Sequence, residues 1–121
     1  MIKNIDFVSI PFKDQKRAVD FYVNKLGFSV STDQEFNEKQ RWIELKIGSS
    51  QTRLVLFTPD GHEDRVGGFA PMTFACDDVQ QTYDELRERG VEFMTPPRKE
   101  KWGMMAILKD SEGNQILISS K

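Results

Sequence analysis

The sequence predicts an α+β fold built from two βαβββ half-units, and three observations carry that expectation. A strand-like pattern near the N-terminus recurs 64 residues further on, each copy runs into a capped amphipathic helix, and each helix precedes three more strand-like stretches. The repeat lays Val8-Ser9-Ile10-Pro11-Phe12-Lys13-Asp14 over Met72-Thr73-Phe74-Ala75-Cys76-Asp77-Asp78, with apolar residues matching at alternate positions. Asp14 and Asp78 suit helix N-caps, because a carboxylate there accepts an otherwise unpaired first-turn N–H. The first helix aligns Ala18, Phe21, Tyr22 and Leu26 in one stripe before Gly27, and the second aligns Val79, Thr82, Tyr83 and Leu86 before Gly90. The strands expected next are Phe28–Val30, Arg41–Ile47 and Arg53–Phe57 in the first half. Their counterparts are Val91–Phe93, Met104–Lys109 and Gln115–Ser119, and glycine in both last connections suits hairpin loops. Pro59, Gly61, Gly67 and Gly68 mark Thr58–Ala70 as the joining stretch.

The 121 residues, 38% hydrophobic and 30% charged, suffice for one domain over 1–121, with half-units at about 4–58 and 70–120. A half-unit with one helix cannot cover both faces of its sheet, so the two halves are expected to assemble together. Seventeen Lys and Arg against 19 Asp and Glu leave a net charge of -2 with the signs interspersed. Nucleic acid is thereby excluded as a partner, since phosphate binding needs a clustered basic surface. Apolar runs are only a few residues long, so neither a membrane span nor a targeting segment is expected, and a cytoplasmic location follows as the default. One cysteine, Cys76, rules out a disulfide within the chain, and one histidine, His62, rules out a site built from several imidazoles of one chain.

The order and spacing of Val8-Ser9-Ile10-Pro11, Asp20-Phe21-Tyr22, Leu26-Gly27-Phe28, Asp77-Asp78-Val79, Gly90-Val91-Glu92-Phe93, Pro96-Pro97, Trp102-Gly103 and Asp110-Ser111-Glu112-Gly113-Asn114 carry a resemblance over essentially the whole chain. The chain resembles the vicinal oxygen chelate superfamily, which includes glyoxalase I, extradiol dioxygenases and the fosfomycin and bleomycin resistance proteins. The resemblance implies a cupped mixed sheet with helices on its convex side, and a homodimer. It does not imply one activity, because the fold hosts several. In relatives that use a divalent cation, ligands come from the first and last strand of each half. Carried onto this chain, those positions are Phe7, Leu56, Pro71 and Leu117, all without a lone pair to offer a metal. The resemblance therefore implies a retained fold with no metal site and no cofactor.

Strand alternation assigns Val8, Ile10, Phe12, Val55, Phe57, Met72, Phe74, Ile116 and Ile118 to the helix-covered core. It leaves Phe7, Ser9, Pro11, Leu54, Leu56, Thr58, Pro71, Thr73, Ala75, Gln115, Leu117 and Ser119 on the opposite face, where Trp42, Glu44 and Lys46 also fall. An apolar lining with sparse hydrogen-bonding groups suits a small organic ligand. The candidate ligand-binding residues are Phe7, Ser9, Trp42, Glu44, Leu56, Thr73, Trp102, Gln115 and Leu117. Glu44 is in addition the one candidate catalytic base, or an anchor for a cation, against the alternative of a solvated carboxylate paired with Lys46 or Arg41. Trp42 and Trp102 suit stacking on a planar or cationic ligand, or else an edge or dimer contact. His62 reads as a surface-loop residue, Cys76 as a buried inert thiol, and Arg98-Lys99-Glu100-Lys101 as a solvated loop. Three functions remain open: a metal-free binding protein that sequesters a toxic or antibiotic compound, a lyase, isomerase or dioxygenase-like enzyme of the family, and an interaction protein whose cup is filled.

Overall fold

The computed structural model describes all 121 residues, in two compact units, Met1–Val66 and Gly67–Lys121. The first unit comprises β1 (Phe7–Ile10), α1 (Gln15–Asp20), β2 (Ser29–Glu35), β3 (Arg41–Lys46) and β4 (Arg53–Leu56). Its sheet has the order β1-β4-β3-β2, with β1 parallel to β4 and the other pairs antiparallel. The second unit comprises β5 (Phe69–Ala75), α2 (Val79–Glu88), β6 (Glu92–Glu100), β7 (Gly103–Lys109) and β8 (Gln115–Ser120), in the equivalent order β5-β8-β7-β6. The α+β class and the βαβββ order of each half are those the sequence predicts.

Both helices start as expected. The Asp14 carboxylate accepts from the Arg17 N–H at 3.1 Å, and the Asp78 carboxylate from the Gln81 N–H at 3.2 Å. Past Asp20, α1 widens into a π-helical turn, Phe21–Lys25, closed by the Leu26 N–H on the Phe21 carbonyl. The adjacent rings of Phe21 and Tyr22 are both buried there, whereas Leu26 is only half-buried.

In the first unit Val8 lies beside Leu54 and Leu54 beside Leu45, while Ile10 lies beside Leu56 and Leu56 beside Ile43. Paired residues share a face, and Ile10, Ile43, Leu45, Leu54 and Leu56 are all buried with Ala18, Phe21 and Tyr22 of the helical segment. This corrects the expectation for β4, because Leu54 and Leu56 face the helix whereas Val55 and Phe57 face away. The run Leu54-Val55-Leu56-Phe57 is apolar at every position and so carries no alternation to read. Thr58 is also buried, its hydroxyl accepting from the Phe12 N–H at 3.2 Å.

In the second unit the alternation is read correctly. Ile116, Ile118 and Ser120 point toward α2, and the Ser120 hydroxyl accepts from the Val79 N–H at 3.1 Å. Thr73 and Ile107 lie beside Leu117 on the opposite face. The strand β6 is three times as long as expected and takes in Pro96, Pro97 and Arg98-Lys99-Glu100, which are therefore not a loop. As an edge strand it tolerates proline, and it absorbs Pro96-Pro97 in a bulge, so that Arg98 rather than Pro97 stands opposite Met105.

The β7–β8 connection is tied together by Asp110. Its Oδ1 accepts from the N–H groups of Glu112 and Asn114 at 2.8 and 2.9 Å, and its Oδ2 from the Asn114 side-chain amide at 2.9 Å. Asn114 Oδ1 in turn accepts from the Gly67 N–H at 2.8 Å. These partners explain how Asp110 and Asn114 can be buried, and they give the Asp110–Asn114 motif a structural role.

Candidate functional site

On the face of the first sheet that turns away from α1, Thr32, Glu44, Val55 and Ser9 form one row across β2, β3, β4 and β1. Trp42 shares this face two residues before Glu44, and its ring is the centre of a four-ring cluster. Phe57 lies 5.0 Å away tilted at 54°, Phe7 lies 5.4 Å away edge-on, and Phe36 stacks at 6.2 Å with 30° between planes. Phe36 also meets Phe57 edge-on at 4.7 Å. Edge-to-face and offset pairs at these distances are each worth about 0.5–1.5 kcal/mol beyond the area they bury. Because β4 lies between β1 and β3, the Phe7–Trp42 pair spans it, and Val55 on that side of β4 has no exposed surface. Phe7 and Phe36 remain 41% and 53% exposed, leaving apolar ring surface open to solvent.

The carboxylate on this face belongs to Glu44. Its Oε2 accepts the indole N–H of Trp42 at 2.8 Å. Neither basic neighbour expected for it is its partner, since Arg41 pairs with Asp33 and no ion pair joins Lys46 to Glu44. The strand β2 bulges opposite Glu44 between Val30 and Thr32, and the Ser31 hydroxyl bonds the Glu44 carbonyl oxygen at 3.2 Å. Nothing in the sequence marks that bulge, and Phe36 and Phe57 are cluster members that the sequence reading missed. Phe36 lies just beyond β2, and only the fold brings it to Trp42.

Of the remaining candidates, Leu56 is 0% exposed on the helix side, so it cannot line this face, and Val55 takes the outward position. Thr73, Gln115 and Leu117 lie on β5 and β8 in the second unit. Trp102 sits in the turn between β6 and β7, 54% exposed. His62 precedes a short 3-10 turn, Glu63–Arg65, in the exposed connection after β4. Cys76 is half-buried, its thiol near the Ser119 carbonyl oxygen at 3.5 Å. Burial pushes that thiol up from its ordinary value; a hydrogen bond with Thr82 pulls it the other way, and the Asp77 and Asp78 charges add to the rise.

A model of the Glyoxalase/Bleomycin resistance protein/Dioxygenase superfamily matches residues 4–118. The chain belongs to this superfamily. Among its relatives, the uncharacterized protein YetH of Bacillus subtilis is 31% identical over 118 residues, 98% of either chain. The uncharacterized protein YurT of the same organism is 35% identical, covering 93% of this chain and 95% of its own. A superfamily member from Sphaerobacter thermophilus has a crystal structure that superposes with a TM-score of 0.88 at 31% identity, covering 99% and 98% of the two chains. TnmS3, an antibiotic binding protein from Streptomyces sp. CB03234, superposes with a TM-score of 0.84 at 30% identity, covering 98% and 96%.

The divalent cation that the superfamily implies does not fit the residues present. Phe7, Pro71 and Leu117 are apolar, and so is the fourth position whether it is taken as Leu56 or as the outward-facing Val55. No three His, Cys, Asp or Glu side chains come together. Glu44 alone cannot supply the three or four protein donors such ions take.

Proposed function

We propose that the protein is a metal-independent receptacle for a small aromatic organic molecule, with sequestration of a toxic or antibiotic compound as its role. The four-ring cluster carries this reading. A single exposed aromatic is ordinary, but Trp42 ringed by three phenylalanines, two of them open to solvent, presents flat apolar surface to a planar ligand. The similarity to TnmS3, an antibiotic binding protein, supports the same reading. The enzyme alternative rests on Glu44 as a base, and the Trp42 indole already occupies one oxygen of that carboxylate. A homodimer is part of the proposal and is checked by light scattering on the eluting protein.

Calorimetric titration with a panel of planar aromatic compounds tests the function. At least one should bind, and Trp42→Ala should weaken it about tenfold or more, the loss of a central aromatic anchor. Binding that is indifferent to Trp42→Ala, or no binding at all, would overturn the proposal.

A further inference from the structure

We infer that Glu44 makes the ring face selective for aromatic molecules that carry a positive charge. This rests on the receptacle reading above and goes further by naming the ligand class. Glu44 Oε2 holds the Trp42 indole N–H, while Oε1 has no protein partner on the same face. A carboxylate with one oxygen uncommitted, bonded to the central indole of the ring cluster, offers an ammonium or ring N–H⁺ both an acceptor and a neighbouring π-surface. The two act together, because a carboxylate accepting the indole N–H pushes electron density into the ring and strengthens its attraction for a cation. Neither of the basic groups nearest along the sheet is bonded to that carboxylate. Lys46 makes no ion pair with Glu44, and Arg53, in register with Phe7, donates to the Ser50 carbonyl oxygen at 3.2 Å.

Three flat tricyclic probes of similar size separate the outcomes: 9-aminoacridine as the cation, acridone as the neutral compound and anthracene-2-carboxylate as the anion. Calorimetry of the wild-type chain should rank them in that order, with the cation at least about tenfold tighter than the anion, a difference of about 1.4 kcal/mol. Glu44→Gln keeps an oxygen for the indole N–H but loses the charge. It should bring the cation and the anion to within about threefold. The Trp42 indole N–H resonance should keep its hydrogen-bonded shift in that variant, which shows that the ring has not moved. Equal affinity for the three probes in the wild type, or a cation preference that survives in Glu44→Gln, overturns this inference alone. Failure of all three to bind overturns it together with the receptacle reading.

Discussion

Trp42 and Glu44 stand two residues apart on one face of β3, and the indole N–H of the first is held by the carboxylate of the second at 2.8 Å. Strand geometry sets this pairing, since residues i and i+2 project on the same side. Trp42→Phe should therefore do less damage to stability than to recognition. It keeps an aromatic ring among Phe7, Phe36 and Phe57 but leaves Glu44 without its donor. The expected change is a small fall in melting temperature together with a fall in affinity for 9-aminoacridine, and an unaltered affinity would show that the couple is idle.

The opposite faces of β4 predict opposite consequences for adjacent substitutions. Leu56→Ala removes a fully buried side chain from the helix-side core and should cost about 2–5 kcal/mol in urea unfolding. Ligand affinity of the folded fraction should not change. Val55→Ala, beneath the Phe7–Trp42 pair, should alter affinity as well as stability. Reversal of these two patterns would restore the outward placement of Leu56.

Gly103 begins β7 at φ +143°, and a Cβ there would collide with the Ser120 carbonyl oxygen on the neighbouring strand. Since both atoms belong to paired backbone, neither can swing aside. Gly103→Ala should lower stability by more than about 2 kcal/mol. At Gly113, φ +83°, an added Cβ meets nothing closer than 3.8 Å, so Gly113→Ala should cost only about 1 kcal/mol for the conformation itself. Equal melting temperatures for the two variants would contradict this difference.

The raised thiol of Cys76 sets a pH dependence. The folded chain holds that proton more tightly than the unfolded chain, so the contribution to stability is complete below the ordinary thiol value of 9.0 and is lost as pH rises through the folded value. Against Cys76→Ala, the wild type should lose stability progressively above about pH 9. Alkylation by iodoacetamide at neutral pH should be slower in the folded protein than in urea. Faster alkylation of the folded chain would mark a reactive thiol instead.

Apolar side chains at the family's ligand positions predict that nickel, zinc, manganese and iron leave the melting temperature unchanged, because only binding to the folded state raises it. Elemental analysis of the purified chain should find no stoichiometric metal. One tightly held ion per chain would reopen the metal-dependent chemistry of the superfamily.

How far the sequence alone could be read depended on contrast between neighbouring residues. In β3, Ile43-Glu44-Leu45-Lys46 alternates between apolar and charged types, so the buried pair Ile43 and Leu45 and the outward Glu44 and Lys46 were legible, with Trp42 assigned outward by period two. The duplication, the two Asp caps and the second unit's faces were legible for the same reason. Leu54-Val55-Leu56-Phe57 offers no contrast. Its facing is decided by hydrogen-bonded register with Val8 and Ile10 on one side and Ile43 and Leu45 on the other, which no local pattern encodes. The length of β6 was hidden because proline and charge, which signal a loop in isolation, are tolerated on an edge strand that has only one neighbour to satisfy. The ring cluster belongs to the same class. Composition supplied the aromatics, but Phe7, Phe36, Trp42 and Phe57 come from four separate stretches, and pairing across β1, β4, β3 and β2 is what places their rings together.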